Sequence, residues 1–228
     1  MAASLALRPF QWLLVTVAAA VAGLAAAQPQ STAPIRATTQ LVVSANSHAS
    51  DAGLAILRAG GSAVDAAIAV QLVLTLVEPQ SSGIGGGAFM LVYAAPTDTE
   101  RSSITAYEGR ETAPAAATPD MFLNASGRAE PFGNVGVGGL SVGVPGVLRM
   151  LEIAHREHGR LPWAELFTPA IELAESGFEV SQRLFSLLNG FKRFARGEDF
   201  RRHFYAADGE PHPVGYRLVN PEYAAVLR

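Results

Sequence analysis

The sequence predicts an α+β fold. Two helix-forming segments follow one another across Gly60-Gly61, and two short apolar runs at residues 88–93 and 103–107 are separated by a turn. From Pro145 onward, prolines repeatedly open further helical segments. The chain has 228 residues, no cysteine and a formal net charge of −3. Disulfide frameworks and thiolate metal sites are thereby excluded, and the charge leaves no electrostatic footprint for nucleic acid.

In chain order, residues 1–27 have the three-part layout of a secretory signal. Arg8 is the charge of the first part, residues 12–26 are apolar and Ala-rich, and Ala25-Ala26-Ala27 precedes the polar Gln28-Pro29-Gln30. Cleavage is expected after Ala27, and an uncleaved N-terminal membrane anchor is the alternative. Residues 28–40, rich in Ser, Thr, Pro and Gln, read as a flexible leader, and residues 41–228 as the folded part. Leu41-Val42-Val43 reads as a short strand. In SHASDAGLAILRAGG, Ser47 or Ser50 can cap a helix that Gly60-Gly61 ends in a left-handed turn. Ser62-Ala63-Val64-Asp65 is a capping pattern opening residues 63–77, which are apolar nearly all round and so should be buried on every side. Pro79 marks the end of that helix. The runs at 88–93 and 103–107 then form a hairpin. Thr118-Pro119 has the pattern of a cap and first helical position. Pro145 opens a helix closed by Gly159, Pro162 and Pro169 start short helices, and residues 181–195 are amphipathic. Asn220-Pro221 announces a last helix, PEYAAVLR, with no stop signal, so the chain is expected to be the first part of a longer one.

Several motifs have a plainer structural reading than a functional one. SGIGGGAF carries four glycines but precedes a strand rather than a helix and lacks a following Lys-Ser/Thr. Phosphate cradles need a helix N-terminus, so these glycines serve close packing or a turn with positive φ. His155 and His158 share a helix at i, i+3, yet no further ligands accompany them, and their place in the last turn suits charge at a helix C-terminus. His48 lies near a helix start and is read as surface or capping. Lys192, Arg193, Arg196, Arg201 and Arg202 form a basic run broken by Glu198 and Asp199, read as a solvated face. Asn124-Ala125-Ser126 matches a glycosylation acceptor, a pattern frequent by chance. No nucleophile elbow is present. There remains YEGRETAP, in which Arg110 follows a strand and a glycine and stands between Glu108 and Glu111. It is either a solvated turn charge or a carboxylate clamp making two parallel hydrogen bonds.

Taken in order, ANSHASDAGLAILRAGGSAVDAAIA, EPQSSGIGGGAFMLVY, YEGRETAPAAATPDMF and SVGVPGVLRMLEIAHREHGRLPWAELFTPAIELAESGFEVS resemble the γ-glutamyltranspeptidase, or glutathione hydrolase, family of N-terminal-nucleophile enzymes. The resemblance implies a partial four-layer αββα sandwich and an exported, periplasmic or secreted precursor that cuts itself into a large and a small subunit. It implies transfer of the γ-glutamyl group of glutathione or other γ-glutamyl compounds to water or an amine. The nucleophile would be the threonine that starts the small subunit, whose own α-amine can serve as base. No cofactor, metal or nucleic acid is implied; the small subunit of the same precursor is the protein partner. The chain resembles the signal plus the N-terminal part of the large subunit, without the nucleophile, and should be inactive and poorly folded alone because layers covering residues 63–77 are missing. Thr38-Thr39 precedes the first family segment and is not that nucleophile. Arg110 matches the family arginine that pairs with the substrate α-carboxylate, with the flanking glutamates orienting its guanidinium. Tyr107-Glu108-Gly109 departs from the Asp-Phe or similar residues expected before it. A β-lactam side-chain acylase and a non-catalytic exported binding protein are the alternatives.

Overall fold

The structure is a computed structural model that describes Pro34 and residues 36–228. The signal reading, the Ala27 cleavage site and most of the leader lie outside the described residues. Gln40–Arg228 form one unit.

Helix α1 (Ser47–Arg58) is capped by the side chain of Asn46, which accepts from His48 N, rather than by Ser47 or Ser50. Gly60 turns the chain out of it at φ +94°, a conformation only glycine adopts freely. Helix α2 (Ala63–Val77) opens with the capping box expected from Ser62 and Asp65. The two helices lie close because Gly53 has no side chain: a Cβ there would come within 2.6 Å of Val70. Helix α2 carries the core, with Ile68, Leu72, Val73 and Val77 buried. It is not buried on every side, since Ala63 and Ala67 stay at the surface with Val70 and Leu74 half-buried beside them.

Strands β1 (Ala88–Ala94) and β2 (Ser103–Gly109) pair antiparallel, with Ala88 opposite Gly109 and Met90 opposite Tyr107. Their alternation gives an inner face of Ala88, Met90, Val92 and Tyr107, packed on the core. The opposite face presents Phe89, Leu91, Tyr93 and Ile104 to solvent. Thr118-Pro119 starts a turn rather than a helix; Met121 N and Leu123 N close it onto Thr118 O and Asp120 O. A one-turn helix α3 (Phe132–Val135) precedes α4 (Val147–His158), which buries Val147, Met150, Leu151 and Ala154 against the hairpin and α2. Leu41-Val42-Val43 is not a strand, having no pairing partner among the described residues; Val42 packs beside Gly53 instead.

A 3-10 turn (Trp163–Phe167) leads into α5 (Thr168–Ser176), both against α2. The short strands β3 (Phe178–Glu179) and β4 (Arg217–Leu218) pair antiparallel, enclosing α6 (Gln182–Phe191) and α7 (Glu198–Phe204). The amphipathic segment at 181–195 thus ends its α-helix at Phe191. Helix α8 (Pro221–Leu227) is capped by Asn220 as expected, and Tyr223 shares a 2.7 Å hydrogen bond with Thr75 of α2. The class is α+β, with helices covering one face of the hairpin.

Candidate functional site

Arg110 is the first residue after β2, and its position is set by four glycines. A Cβ at Gly87 would lie 2.6 Å from Gly109 O and 2.9 Å from Arg110 Cα. One at Gly146 would lie 2.5 Å from Gly109 O, and one at Gly109 would lie 2.6 Å from Met150 Cβ. One at Gly143 would lie 2.8 Å from Glu111 Cβ. Without side chains, the backbones of the glycine-rich loop, the end of β2 and the start of α4 meet. None of Gly83, Gly85, Gly86 and Gly87 has positive φ, and close packing holds at Gly87, whereas a Cβ at Gly85 would meet open space. The same contact explains Gly109 directly before the arginine. Gly86 O accepts from Gly146 N and Val147 N, each at 3.2 Å, which ties the loop to the first turn of α4. On the far side, Thr112 and Val144 exchange backbone hydrogen bonds at 3.3 and 2.8 Å.

The guanidinium projects outward, 69% exposed, with Nε 3.5 Å from Glu111 Oε2. Nη1 and Nη2 have no protein partner among the described residues, so the edge that can grip a carboxylate in parallel is open. Beside it is a hollow of about 360 Å³ whose lining includes Glu111, Pro114, Met121, Phe122 and Leu140. Of the two flanking glutamates, Glu111 engages the arginine and Glu108 does not. Strand alternation sends Glu108 to the solvent face, paired with Phe89, while Tyr107 and Gly109 face inward.

The other sequence candidates are spread apart. His155 Nε2 lies 2.8 Å from Leu161 O, and its ring meets Trp163 edge-on. His158 Nε2 lies 2.7 Å from the Tyr107 hydroxyl, which also donates to Glu157 Oε2 at 2.5 Å. Burial and Glu157 together push the Tyr107 phenol up to about 12. His48 is exposed near the α1 cap. Asn124 Oδ1 accepts from Ser126 N, Ser126 Oγ and Arg128 N in a turn. In the basic run, Lys192 pairs with Glu210 and Arg202 with Asp199.

Sequence reasoning missed two buried carboxylates. Asp65 is fully buried, and besides its cap bond its Oδ2 accepts from Arg160 N at 2.9 Å and Leu161 N at 3.2 Å. Glu78 receives Arg183 Nε at 2.9 Å and Gln80 Nε2 at 2.5 Å. The S-x-x-D pattern signalled the first as a cap but not as an anchor for a turn 95 residues away. No local pattern signals the second. Among the described residues no helix is long and apolar enough to cross a membrane.

The chain is 38% identical over 188 residues to a glutathione hydrolase proenzyme of Bacillus subtilis (strain 168), covering 82% of this chain and 31% of that protein. Glutathione hydrolase 3 of Arabidopsis thaliana is also 38% identical over 188 residues, covering 82% of this chain and 28% of its own length. The chain therefore spans about a third of the length of the curated relatives it matches. Among solved structures, Helicobacter pylori γ-glutamyltranspeptidase superposes with a TM-score of 0.78 at 32% identity, over 85% of this chain and 54% of that one. A cephalosporin acylase from Bacillus halodurans shares the fold at a TM-score of 0.64 and 28% identity, over 89% of this chain and 38% of its own. These neighbours place the α+β architecture in the N-terminal-nucleophile hydrolase fold class. The sequence pattern of the family described as gamma-glutamyltranspeptidase matches residues 49–228, and the chain belongs to that family.

Proposed function

We propose that this chain is the N-terminal part of the large subunit of an exported γ-glutamyl hydrolase or transferase precursor, and that Arg110 holds the α-carboxylate of its γ-glutamyl donor. The observation that carries the reading is the Arg110 guanidinium, engaged by Glu111 at Nε and open at Nη1 and Nη2 beside a hollow. Glutathione and related γ-glutamyl amides present such a carboxylate. In the proposed reaction a threonine hydroxyl, outside these residues, attacks the γ-carbonyl. An acyl–oxygen bond forms, the amide C–N bond breaks, and the proton leaves with the amine. Water or an acceptor amine then releases the γ-glutamyl group. The threonine would be freed by self-cleavage, and the small subunit so formed would complete the site. The relatives named as glutathione hydrolases support this reading over an acylase.

Kinetics of the full-length enzyme test the clamp. A hydrogen bond to a charged group is worth about 1.5–3 kcal/mol, so Arg110→Ala should lower kcat/KM by that order. Arg110→Lys keeps the charge but not the planar fork and should recover only part. A substrate without the α-carboxylate should be poor throughout and little worsened. Unchanged kinetics in a correctly processed Arg110→Ala enzyme would sink the clamp, since a solvated turn charge predicts a change within about 0.5 kcal/mol. Export through residues 1–27 is tested by N-terminal sequencing of the mature protein, expected to begin at Gln28. An intact Met1 in the membrane fraction would instead support the anchor.

A further inference from the structure

Arg110 directly follows a strand that is weakly held on its own. A two-stranded hairpin is marginal in water and depends on what it packs against. Here only the inner face is covered, because Phe89, Leu91, Tyr93 and Ile104 on the other face are exposed. The glycine contacts behind Arg110 are van der Waals contacts, with backbone at Gly87 and Gly146 and with the Met150 side chain at Gly109. They bring the chain close to α4 but give little directional hold along it.

A directional tie lies three residues upstream. Tyr107, nearly buried on the inner face, reaches the last turn of α4. Its single hydroxyl proton goes to Glu157 Oε2 at 2.5 Å. The phenol oxygen is then left to accept from His158 Nε2 at 2.7 Å, which requires a proton on that nitrogen. The rings of Tyr107 and His158 meet edge-on at 6.0 Å. With the phenol pushed up to about 12, Tyr107 keeps its proton, and so its role as donor, across the neutral range. Downstream, the Thr112–Val144 pair holds the other side. Arg110 thus lies between two anchors, about 10 Å from the first at strand rise.

We propose that the Tyr107–Glu157–His158 cluster is a positioning device for Arg110, fixing the end of β2 along α4 and so setting where the guanidinium meets the donor carboxylate. This rests on the reading of Arg110 above. Tyr107 touches no substrate and acts through the strand. The cluster therefore affects recognition of the carboxylate rather than the chemistry at the γ-carbonyl.

The test uses the full-length, processed enzyme and two substrates, a γ-glutamyl anilide and the matched γ-aminobutyryl anilide, which lacks the α-carboxylate. The readout is the ratio of their kcat/KM values, which a general loss of folded enzyme does not move. Tyr107→Phe keeps the ring and removes the hydroxyl. It should lower the ratio about 3- to 10-fold through a higher KM for the γ-glutamyl substrate, a misplacement of well under 1 Å being enough. In the Arg110→Ala background the same change should add nothing further, because the effect passes through Arg110. Glu157→Leu breaks the same contact from the helix side and reads it independently should Tyr107→Phe fail to accumulate. Glu157→Gln, still an acceptor, should restore the ratio to within about 2-fold. An unchanged ratio in Tyr107→Phe, or in Glu157→Leu where the first cannot be measured, overturns the positioning role. So does an undiminished Tyr107→Phe effect in the Arg110→Ala background. If Arg110→Ala itself leaves the ratio intact, it is the clamp reading that fails.

Discussion

Asp65 shows how one side chain can join distant parts of this chain. Its carboxylate caps α2 through Ser62 and receives the backbone N–H groups of Arg160 and Leu161, just beyond α4. Burial acts to raise its pKa, but the N–H donors of Ser62, Arg160 and Leu161 outweigh it and leave the group lowered from 3.8. A carboxyl depressed in the folded state contributes its stabilisation in full above the unfolded-state value and loses it as pH falls through the folded-state value. Asp65→Asn should therefore cost about 1.5–3 kcal/mol at pH 7, the range for a hydrogen bond to a charged group. The gap to the parent should narrow as pH drops below 3.8. Thermal melts of parent and variant at pH 7 and at about pH 3 check this. A deficit that stays constant with pH would show that the carboxylate charge is not what holds the turn.

Among elements, the decisive contact is between the end of β2 and the start of α4. The V-P-G stretch before α4 reads locally as a helix opening, and Pro145 and Gly146 do precede Val147. The glycine has a second role, since its missing Cβ makes room for Gly109 O. In Gly146→Ala the new methyl would stand 2.5 Å from that oxygen and 3.0 Å from Arg110 O, both backbone atoms with no rotamer to escape through. The strand end must move, at about 1–3 kcal/mol as for other overpacked sites. We expect a lower Tm together with weaker γ-glutamyl binding, measured as KM in the full-length enzyme. A crystal structure of Gly146→Ala with Arg110 undisplaced and the parent's Tm would contradict this account.

At the scale of the described residues, a contiguous uncovered apolar face lies on the hairpin rather than on α2. Phe89, Leu91, Tyr93 and Ile104 are 67%, 74%, 64% and 70% exposed and share one face. Each such side chain forgoes about 1.5–3 kcal/mol of burial while it stays wet. A polypeptide of residues 40–228 produced alone should therefore bind an apolar fluorescent dye and self-associate. Leu91→Lys with Phe89→Glu should suppress both while leaving the helical circular dichroism intact. Sedimentation and dye titration check this, and a monomeric parent that binds no dye would refute it.

Local patterns in the sequence determined most of the elements. The capping box at Ser62, the left-handed exit at Gly60, the hairpin and the Asn220 cap all depend on residues within a few positions of one another. The ordered family segments marked Arg110 for the same reason, being contiguous in the chain. Where a local pattern admitted several outcomes, the folded chain shows which one is taken. Asn46 caps α1 instead of its serine neighbours, and Thr118-Pro119 closes a turn instead of opening a helix. Among the described residues Leu41-Val42-Val43 finds no strand partner, and Val42 packs beside α1. Only the folded chain brings Gly87, Gly109 and Gly146 together, places Tyr107 on the far end of α4 and buries Asp65 under a turn 95 residues on. These are long-range contacts, and the spacing of neighbouring residues carries no record of them. The position of the arginine was legible from the sequence, whereas what holds it there comes from packing across the fold.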